Sequence, residues 1–390
     1  QPNAGAPRNV EGRNIYLASP EYFEEYAKRF LLAGARLVGG CCGTTPQHIA
    51  HMRKALYAFS PQSRRKSGGM ISRSVAPVRP DEGEEEVPLG KRSRLGQRIS
   101  AGEFVRFMEL VPPKGLDLSR SMKRAEKVAA NHFDAVNIPD GPRASARMSP
   151  AALAIRMQQE LNMEALLHYT CRDRNLLGMQ SDLLGLHALG LRNLLVVTGD
   201  PPKMGDYPDA TAVFDVDSIG LTNVVTRLNR GIDIGGNSIG KPTEFVIGVG
   251  VNPGAVNLEY ELSRFKWKVE AGAHFAVTQP VFDVTLVENF LEEVHRRNIH
   301  IPLVIGIWPL LSLRNAQFMN NEVPGAQVPP SLMERMAKAQ EVSGDRAREE
   351  GIAIARETFA TLRGRVSGVQ ISPPFGRVEF AMQILEPGGD

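Results

Sequence analysis

A repeated alternation of short apolar runs and helical patterns, from about residue 100 onward, constrains the fold of this chain most strongly. Eight runs are predicted to be strands: FVRFMELV, DAVNIP, ALLHYT, NLLVVTG, FVIGVGV, FAVTQ, PLVIGIW and GVQIS. Eight β/α repeats over about 270 residues match the size of an α/β protein with a (β/α)8 TIM barrel. A doubly wound sheet is the alternative. It more often has fewer strands and a glycine-rich phosphate turn after the first, where this chain has PPKGLDLS.

Polar side chains collect where these strands end and the following loops begin. They are Glu109; Asn137 and Asp140; His168, Thr170 and Asp173; Thr198, Gly199 and Asp200; Asn252; Gln279; Trp308; and Gln370 with Ser372. Active sites of (β/α)8 barrels lie at this end of the strands. The starts of the strands carry no comparable set. We therefore expect the functional site at the mouth that the strand ends form.

Residues 1–59 contain an incomplete α/β pattern. Ser19 and Pro20 begin the predicted helix EYFEEYAKRFLLAGA, and Gly34 ends it. RLVGG is predicted to be a short strand, and Thr45 precedes a second helix. One strand with two helices is too little for a stable core. Because the chain also opens QPNAGAPRNVEG without a methionine, we expect this part to be the end of a larger unit that begins upstream.

Residues 60–98 have the composition of a linker, which leaves 99–390 for the predicted barrel domain. The stretch holds nine Lys or Arg against five Asp or Glu, an excess of four beside a net charge of +3 for the whole chain. It is poor in large apolar side chains, so it cannot bury enough surface to fold alone. It also has no aromatic residue on which a base could stack, which argues against a nucleic-acid partner.

The cysteine count and hydropathy indicate the compartment. Only Cys41, Cys42 and Cys171 are present, which is too few for a disulfide framework. No apolar run is long enough for a membrane span, and no signal-peptide pattern is visible. We therefore expect a protein of the reducing cytoplasm without a membrane partner.

Six blocks of sequence closely resemble methylenetetrahydrofolate reductase, in order, over residues 100–387: FMELVPPKG, HYTCRDRN, VVTGDPPKMGDYPDAT, KVEAGAHFAVTQPVFD, IPLVIGIWPL and GVQISPPFGRVEF. The resemblance implies reduction of 5,10-methylenetetrahydrofolate to 5-methyltetrahydrofolate by NADH or NADPH. FAD would carry the hydride in a ping-pong sequence, and the protein would be a homo-oligomer. A non-catalytic folate-binding scaffold is one alternative, against which the intact Glu109 and Asp200 argue.

The resemblance also implies roles for individual residues. Glu109 matches the proton donor, and its apolar neighbours Phe107, Met108 and Leu110 favour a neutral carboxyl group. Asp200 matches an aspartate beside the flavin and the pterin, where a carboxylate tunes the flavin and binds pterin amino groups. The other matches to substrate contacts are Gln279, Arg377 and Phe318, with Met319 as the second choice for Phe318. The matches to flavin contacts are His168, Thr170, Thr198, Gly199, Asp200, Asn252 and, toward the diphosphate, Lys268.

The segments NAGAPR, YLASPEYFEEYAKRF and GARLVGGCCGTTPQHI resemble the last part of a homocysteine S-methyltransferase barrel, which precedes the reductase in fused proteins. That family binds zinc through a cysteine pair, matched by Cys41 and Cys42, and a third cysteine upstream, and the metal activates the homocysteine thiol. This sequence has no upstream cysteine, and the resemblance gives Cys171 no such role. We therefore expect zinc only in an intact methyltransferase domain. Methyl transfer to homocysteine by the intact fused protein is the other alternative function.

Overall fold

The structure is a computed structural model that describes residues 2, 8–10, 13–15, 18–35, 37–41, 43–58, 77–79, 81–323 and 325–385. The chain divides into two compact units, Gln1–Arg73 and Ser74–Asp390. No helix in the described ranges is both long enough and apolar enough to cross a membrane.

The first unit contains a short antiparallel hairpin and two helices. The elements are β1 (Arg8–Val10), β2 (Arg13–Ile15), α1 (Pro20–Leu32) and α2 (Pro46–Ala58). Ser19 caps α1 as predicted, because its hydroxyl accepts a hydrogen bond from the Tyr22 N–H at 3.3 Å. Phe23 of α1 packs against Met52 of α2 in a small buried cluster.

The strand predicted from RLVGG is wrong. The described residues 37–40 form no strand, and the Leu37 side chain is 95% exposed. A strand needs a neighbour for its backbone N–H and C=O groups. In the described part of this unit the one sheet consists of β1 and β2, which pair with each other.

The second unit is a closed barrel of eight parallel strands, which confirms the predicted (β/α)8 fold. The strands are β3 (Val105–Glu109), β4 (Ala135–Ile138), β5 (Ala165–Thr170), β6 (Asn193–Val197), β7 (Val246–Val251), β8 (Phe275–Pro280), β9 (Leu303–Ile307) and β10 (Gly368–Ile371). Each strand pairs with the next in sequence, and β10 closes the barrel by pairing with β3. This closure excludes the doubly wound alternative, whose sheet is open.

One helix, α3 (Arg94–Ser100), precedes the first barrel strand, and the other helices of this unit follow strands and cover the outside of the barrel. They are α4 (Ser119–Ala130), α5 (Pro150–Leu161), α6 (Leu176–Ala188), α7 (Ser218–Asn229), α8 (Leu258–Glu270), α9 (Val284–Arg296), α10 (Leu313–Glu322), α11 (Pro330–Val342), α12 (Gly344–Leu362) and α13 (Val378–Met382). The largest buried cluster lies between these helices and the outward side chains of the strands.

The lower half of the barrel interior is an apolar floor. Phe107 and Phe275 meet edge to face with their ring centroids 6.0 Å apart, and Leu95 of α3 packs in the same cluster. Gly248 of β7 makes room for this arrangement, because a Cβ atom there would lie 2.4 Å from the Phe275 ring. The floor therefore closes the N-terminal end of the barrel and leaves the opposite end as the mouth.

Part of the predicted linker 60–98 folds against the barrel. Arg92 is buried, pairs with Glu86 at 2.7 Å and donates a hydrogen bond to the Phe245 carbonyl oxygen at 2.8 Å. Composition alone does not reveal this contact, since its acceptor is more than a hundred residues away in the sequence. The three predicted domain ranges remain predictions.

We predict that Phe275→Ala lowers the free energy of unfolding by about 3–5 kcal/mol, because it leaves a cavity in the closed floor. Urea denaturation of the purified chain measures this change. Val342→Ala is the control: its side chain is 75% exposed on α11, so we expect a change of about 0.5 kcal/mol or less. Equal effects of the two replacements would contradict the closed floor.

Candidate active site

Glu109 ends β3 and carries the reactive carboxyl group of the barrel mouth. Its side chain is partly exposed by surface area, but its carboxyl group is enclosed by the barrel, and this desolvation raises its pKa from 4.5 to about 7. Hydrogen bonds from Ser372 and Gln370 lower the pKa, but they are weaker than the desolvation. The Gln370 amide nitrogen lies 3.4 Å from Glu109 Oε2 and 2.7 Å from Ser372 Oγ. Glu109 is therefore an acid that can hold or release a proton near neutral pH.

A neutral histidine and an asparagine lie beside this acid. Asn137 of β4 lies opposite Glu109 in the register of the two strands. His168 of β5 contacts Asn137, with 2.7 Å between His168 Nε2 and Asn137 Oδ1. Desolvation lowers the pKa of His168 to about 4, so the ring is neutral at pH 7. Because an amide oxygen can only accept, His168 donates through Nε2.

Thr170, one of the predicted flavin contacts, is held by an acidic residue in the loop after β4. Its hydroxyl donates to Asp140 Oδ2 at 2.9 Å, and Arg174 pairs with the same oxygen at 3.2 Å. Asp140 is thus satisfied by its own neighbours and fixes the end of β5.

The predicted turn Thr198–Asp200 follows β6 and packs closely on β5. Gly199 has φ +93°, and a Cβ atom there would lie 3.0 Å from Thr170 Cβ, so this position requires glycine. The carboxylate of Asp200 accepts a hydrogen bond from the Arg143 backbone N–H at 2.9 Å. The turn therefore joins the loops after β4 and β6 at the mouth.

Arg143 links this turn to α10. It has φ +56°, a left-handed conformation that a non-glycine residue adopts only at a cost of about 1–3 kcal/mol. Its guanidinium group lies 5.5 Å from the centroid of the Phe318 ring. Met319 is buried in the cluster beneath α10, so Phe318 is the residue of this pair that faces the mouth loops.

Asn252 and Gln279 line a separate groove at the ends of β7 and β8. Asn252 Oδ1 accepts a hydrogen bond from the Gly254 N–H at 3.0 Å, which fixes the orientation of its amide. Gln279 is exposed and available to a ligand. Glu109 and Asp200 do not line this groove, so the predicted site residues form more than one cluster.

The two predicted cations differ in environment. Lys268 is buried, its ammonium group donates to the Gly250 carbonyl oxygen at 2.7 Å, and desolvation lowers its pKa. Arg377 is exposed at the start of α13, where it lies 5.7 Å from the Phe380 ring centroid. Lys268 thus has one ammonium donor engaged, whereas Arg377 faces solvent.

The cysteine pair is described only in part. Cys41 is exposed, and Cys42 lies outside the described residues. Among the residues that the structure describes, no three His, Cys, Asp or Glu side chains come together as metal ligands. Cys171 is buried in the barrel, and desolvation raises its pKa to about 12.

Asn137 and Gln370 were predicted to lie at the mouth but without a specific role, and Arg143 was not predicted as a site residue. Gln370 was recognisable in principle, because a closed barrel must bring the end of its last strand beside the end of its first. Asn137 required the register of β4 with β3. The conformation of Arg143 has no signal in the sequence, since a left-handed residue is usually Gly or Asn.

A closed (β/α)8 barrel whose mouth holds a neutral histidine and an acid titrating near pH 7 has the architecture of a barrel enzyme. Residues 94–371 match the family model of methylenetetrahydrofolate reductase. The chain therefore belongs to the methylenetetrahydrofolate reductase family. Residues 1–56 match the model of homocysteine S-methyltransferase, which confirms the resemblance predicted for the N-terminal segment.

Named relatives and a solved structure agree with this assignment. Methylenetetrahydrofolate reductase 1 of Schizosaccharomyces pombe is 24% identical over 55% of this chain and 33% of that protein. The probable methylenetetrahydrofolate reductase (NADH) of Oryza sativa subsp. japonica is 26% identical over 59% and 40%. The 5,10-methylenetetrahydrofolate reductase of Pectobacterium carotovorum is 24% identical over 58% and 72%. The chain thus spans 40% or less of the length of the first two relatives.

The solved structure is an uncharacterized protein from Clostridium thermocellum that binds two copies of 5-methyl-5,6,7,8-tetrahydrofolic acid. It matches with a TM-score of 0.56 and 15% identity, over 75% of this chain and 97% of that chain. At this level of identity the match supports the barrel fold alone.

We predict that Glu109→Gln stabilises the chain increasingly as the pH rises from about 4.5 to 7. Folding favours the neutral carboxyl group, so the contribution of Glu109 is full below its usual pKa and is lost as the pH rises through its folded pKa. The variant avoids this loss, which amounts to about 2–3 kcal/mol above pH 7. Urea unfolding of both proteins across this pH range measures the difference. A difference that stays constant with pH would show that Glu109 titrates normally.

Proposed function

We propose that the barrel reduces 5,10-methylenetetrahydrofolate to 5-methyltetrahydrofolate with NADH or NADPH, through bound FAD and with Glu109 as the general acid. The family and the names of the relatives support the reaction. The observation that carries the residue assignment is the enclosed carboxyl group of Glu109, whose pKa of about 7 suits proton donation at neutral pH.

The reaction needs a proton and a hydride. Protonation of one nitrogen opens the methylene bridge, and the resulting iminium carbon then accepts hydride. FAD, when bound, would carry the hydride from the nicotinamide to this carbon, and the two substrates would then use the site in turn. The chain itself contributes the proton from the Glu109 carboxyl group.

Gln370 and Ser372 stabilise Glu109 after it has released its proton. Both side chains are buried, and both lower the pKa of Glu109 by hydrogen bonding. Without them the desolvation would raise the pKa further, and proton transfer to the substrate would be less favourable.

The mouth has features that fit a flavin. It contains a neutral His168, a fully buried Asn137 and a close turn at Gly199 that holds Thr198 and Asp200 beside the end of β5. The residues that would hold FAD are His168, Thr170, Thr198, Gly199, Asp200, Asn252 and, at the diphosphate, Lys268. For the folate we propose contacts from Asp200, Gln279, Phe318 and Arg377.

The N-terminal segment carries a further proposal about the intact protein. Its match to homocysteine S-methyltransferase supports a fused methyltransferase domain that binds zinc through Cys41, Cys42 and an upstream cysteine. Such a domain would consume the methyl group that the barrel produces. We propose cytoplasmic oligomers as the working form.

We predict that Glu109→Gln slows the reduction of methylenetetrahydrofolate by at least about 100-fold, because the amide cannot supply the proton. Oxidation of NADH by the flavin involves no such proton and should keep its rate. Anaerobic stopped-flow absorbance of the flavin measures the two half-reactions separately.

Glu103→Gln is the control, since Glu103 is exposed just before the start of β3. If Glu109→Gln kept the wild-type rate of the folate half-reaction, Glu109 would not be the general acid. If the wild-type chain were inactive with added FAD, the non-catalytic folate-binding scaffold would be favoured.

We also predict that the folate half-reaction of the wild-type chain slows as the pH rises through about 7, because Glu109 loses its proton. The nicotinamide half-reaction should lack this alkaline limb. Rates measured from pH 5.5 to 9 test the point, and identical profiles for the two half-reactions would contradict it.

A further inference from the structure

Asn137 carries an unmet hydrogen-bond donor in the deepest polar layer of the barrel mouth. The residue is 0% exposed, and its Nδ2 atom has no hydrogen-bond partner in the described part of the chain. Such groups are rare in native proteins, because an unsatisfied buried donor costs about 1–3 kcal/mol. The donor lies next to the candidate general acid, since Asn137 is the register partner of Glu109.

One end of the Asn137 amide is engaged by the neighbouring His168. His168 Nε2 lies 2.7 Å from Asn137 Oδ1, so the oxygen end of the amide is engaged and the nitrogen end is not. The Asn137 backbone is held as well, because its carbonyl oxygen accepts a hydrogen bond from the Leu110 N–H at 2.9 Å. The amide N–H is therefore presented by a rigid strand, as ligand-binding groups usually are.

We infer that Asn137 is a ligand-binding residue whose amide N–H donates a hydrogen bond to a ring acceptor of a planar heterocycle bound beside Glu109. The acceptor is a carbonyl oxygen or a ring nitrogen, which flavins and pterins share. The inference rests on the proposed function, because that function brings both heterocycles to this mouth. His168 acts as the positioning residue that orients the amide.

Asn193 provides a matched comparison within the same barrel. It is a buried asparagine at the opposite end, on β6, and its amide is satisfied. Its Nδ2 donates to Glu164 Oε2 at 3.1 Å and to the Ala165 carbonyl oxygen at 3.2 Å, and its Oδ1 accepts from Ser93 at 2.6 Å. Loss of Asn193 should therefore weaken folding alone, whereas loss of Asn137 should also weaken binding.

The test compares Asn137→Leu with Asn193→Leu in the full chain. Fluorescence titrations with FAD and, separately, with 5-methyltetrahydrofolate measure affinity, and urea unfolding without ligand measures stability. We expect Asn137→Leu to weaken the binding of one of the two ligands by about 10- to 100-fold, in addition to a loss of stability from the buried His168 Nε2 that it leaves without a partner. Asn193→Leu should lower the unfolding midpoint and leave both affinities unchanged.

Each outcome separates the alternatives. Weaker FAD binding identifies the flavin as the partner of Asn137, and weaker folate binding identifies the pterin. Unchanged affinity for both ligands would overturn the inference, including the case in which a trapped water satisfies the amide. If the wild-type chain bound neither FAD nor the folate, the proposed function would fail and this inference would fail with it.

Discussion

The pairing of β10 with β3 is the contact on which the chemistry of this barrel depends. It closes the sheet, so the interior has no open edge and its lower half is filled by side chains such as Phe107 and Phe275. It also brings Gln370 and Ser372 to Glu109, although Gln370 lies 261 residues after Glu109 in the sequence. An open sheet would leave Glu109 in water with an ordinary pKa.

Alternate residues of a barrel strand point inward, and on β3 the lower one packs in the apolar floor while the upper one is a candidate catalytic group. Phe107 and Glu109 are two residues apart on β3, so both point inward, one in the apolar floor and the other in the polar layer above it. The floor excludes water from below, which makes desolvation the largest influence on Glu109. Two hydrogen bonds oppose it, and the balance leaves a pKa of about 7. Reactivity at this mouth thus depends on packing as much as on polar contacts.

Local patterns predicted the strands and the polar strand ends correctly, because period-2 apolar runs and parallel β/α order carry that information. They failed where the structure depends on distant partners. RLVGG looked like a strand but has no neighbouring strand in the described residues, and Arg92 looked like part of a linker but binds Phe245. The left-handed conformation of Arg143 arises from tertiary packing and leaves no trace in residue type. The identity of each flavin or folate contact likewise came from resemblance.

Closure of the barrel keeps the Glu109 carboxyl group protonated up to a pH of about 7. Infrared difference spectroscopy tests it directly, because a protonated carboxyl group has a C=O stretching band that a carboxylate lacks. The wild-type spectrum minus that of Glu109→Gln isolates this band. We expect it to disappear with a midpoint near pH 7. A band that is already absent at pH 5.5 would mean that Glu109 is ionised there, and barrel closure would then not raise its pKa.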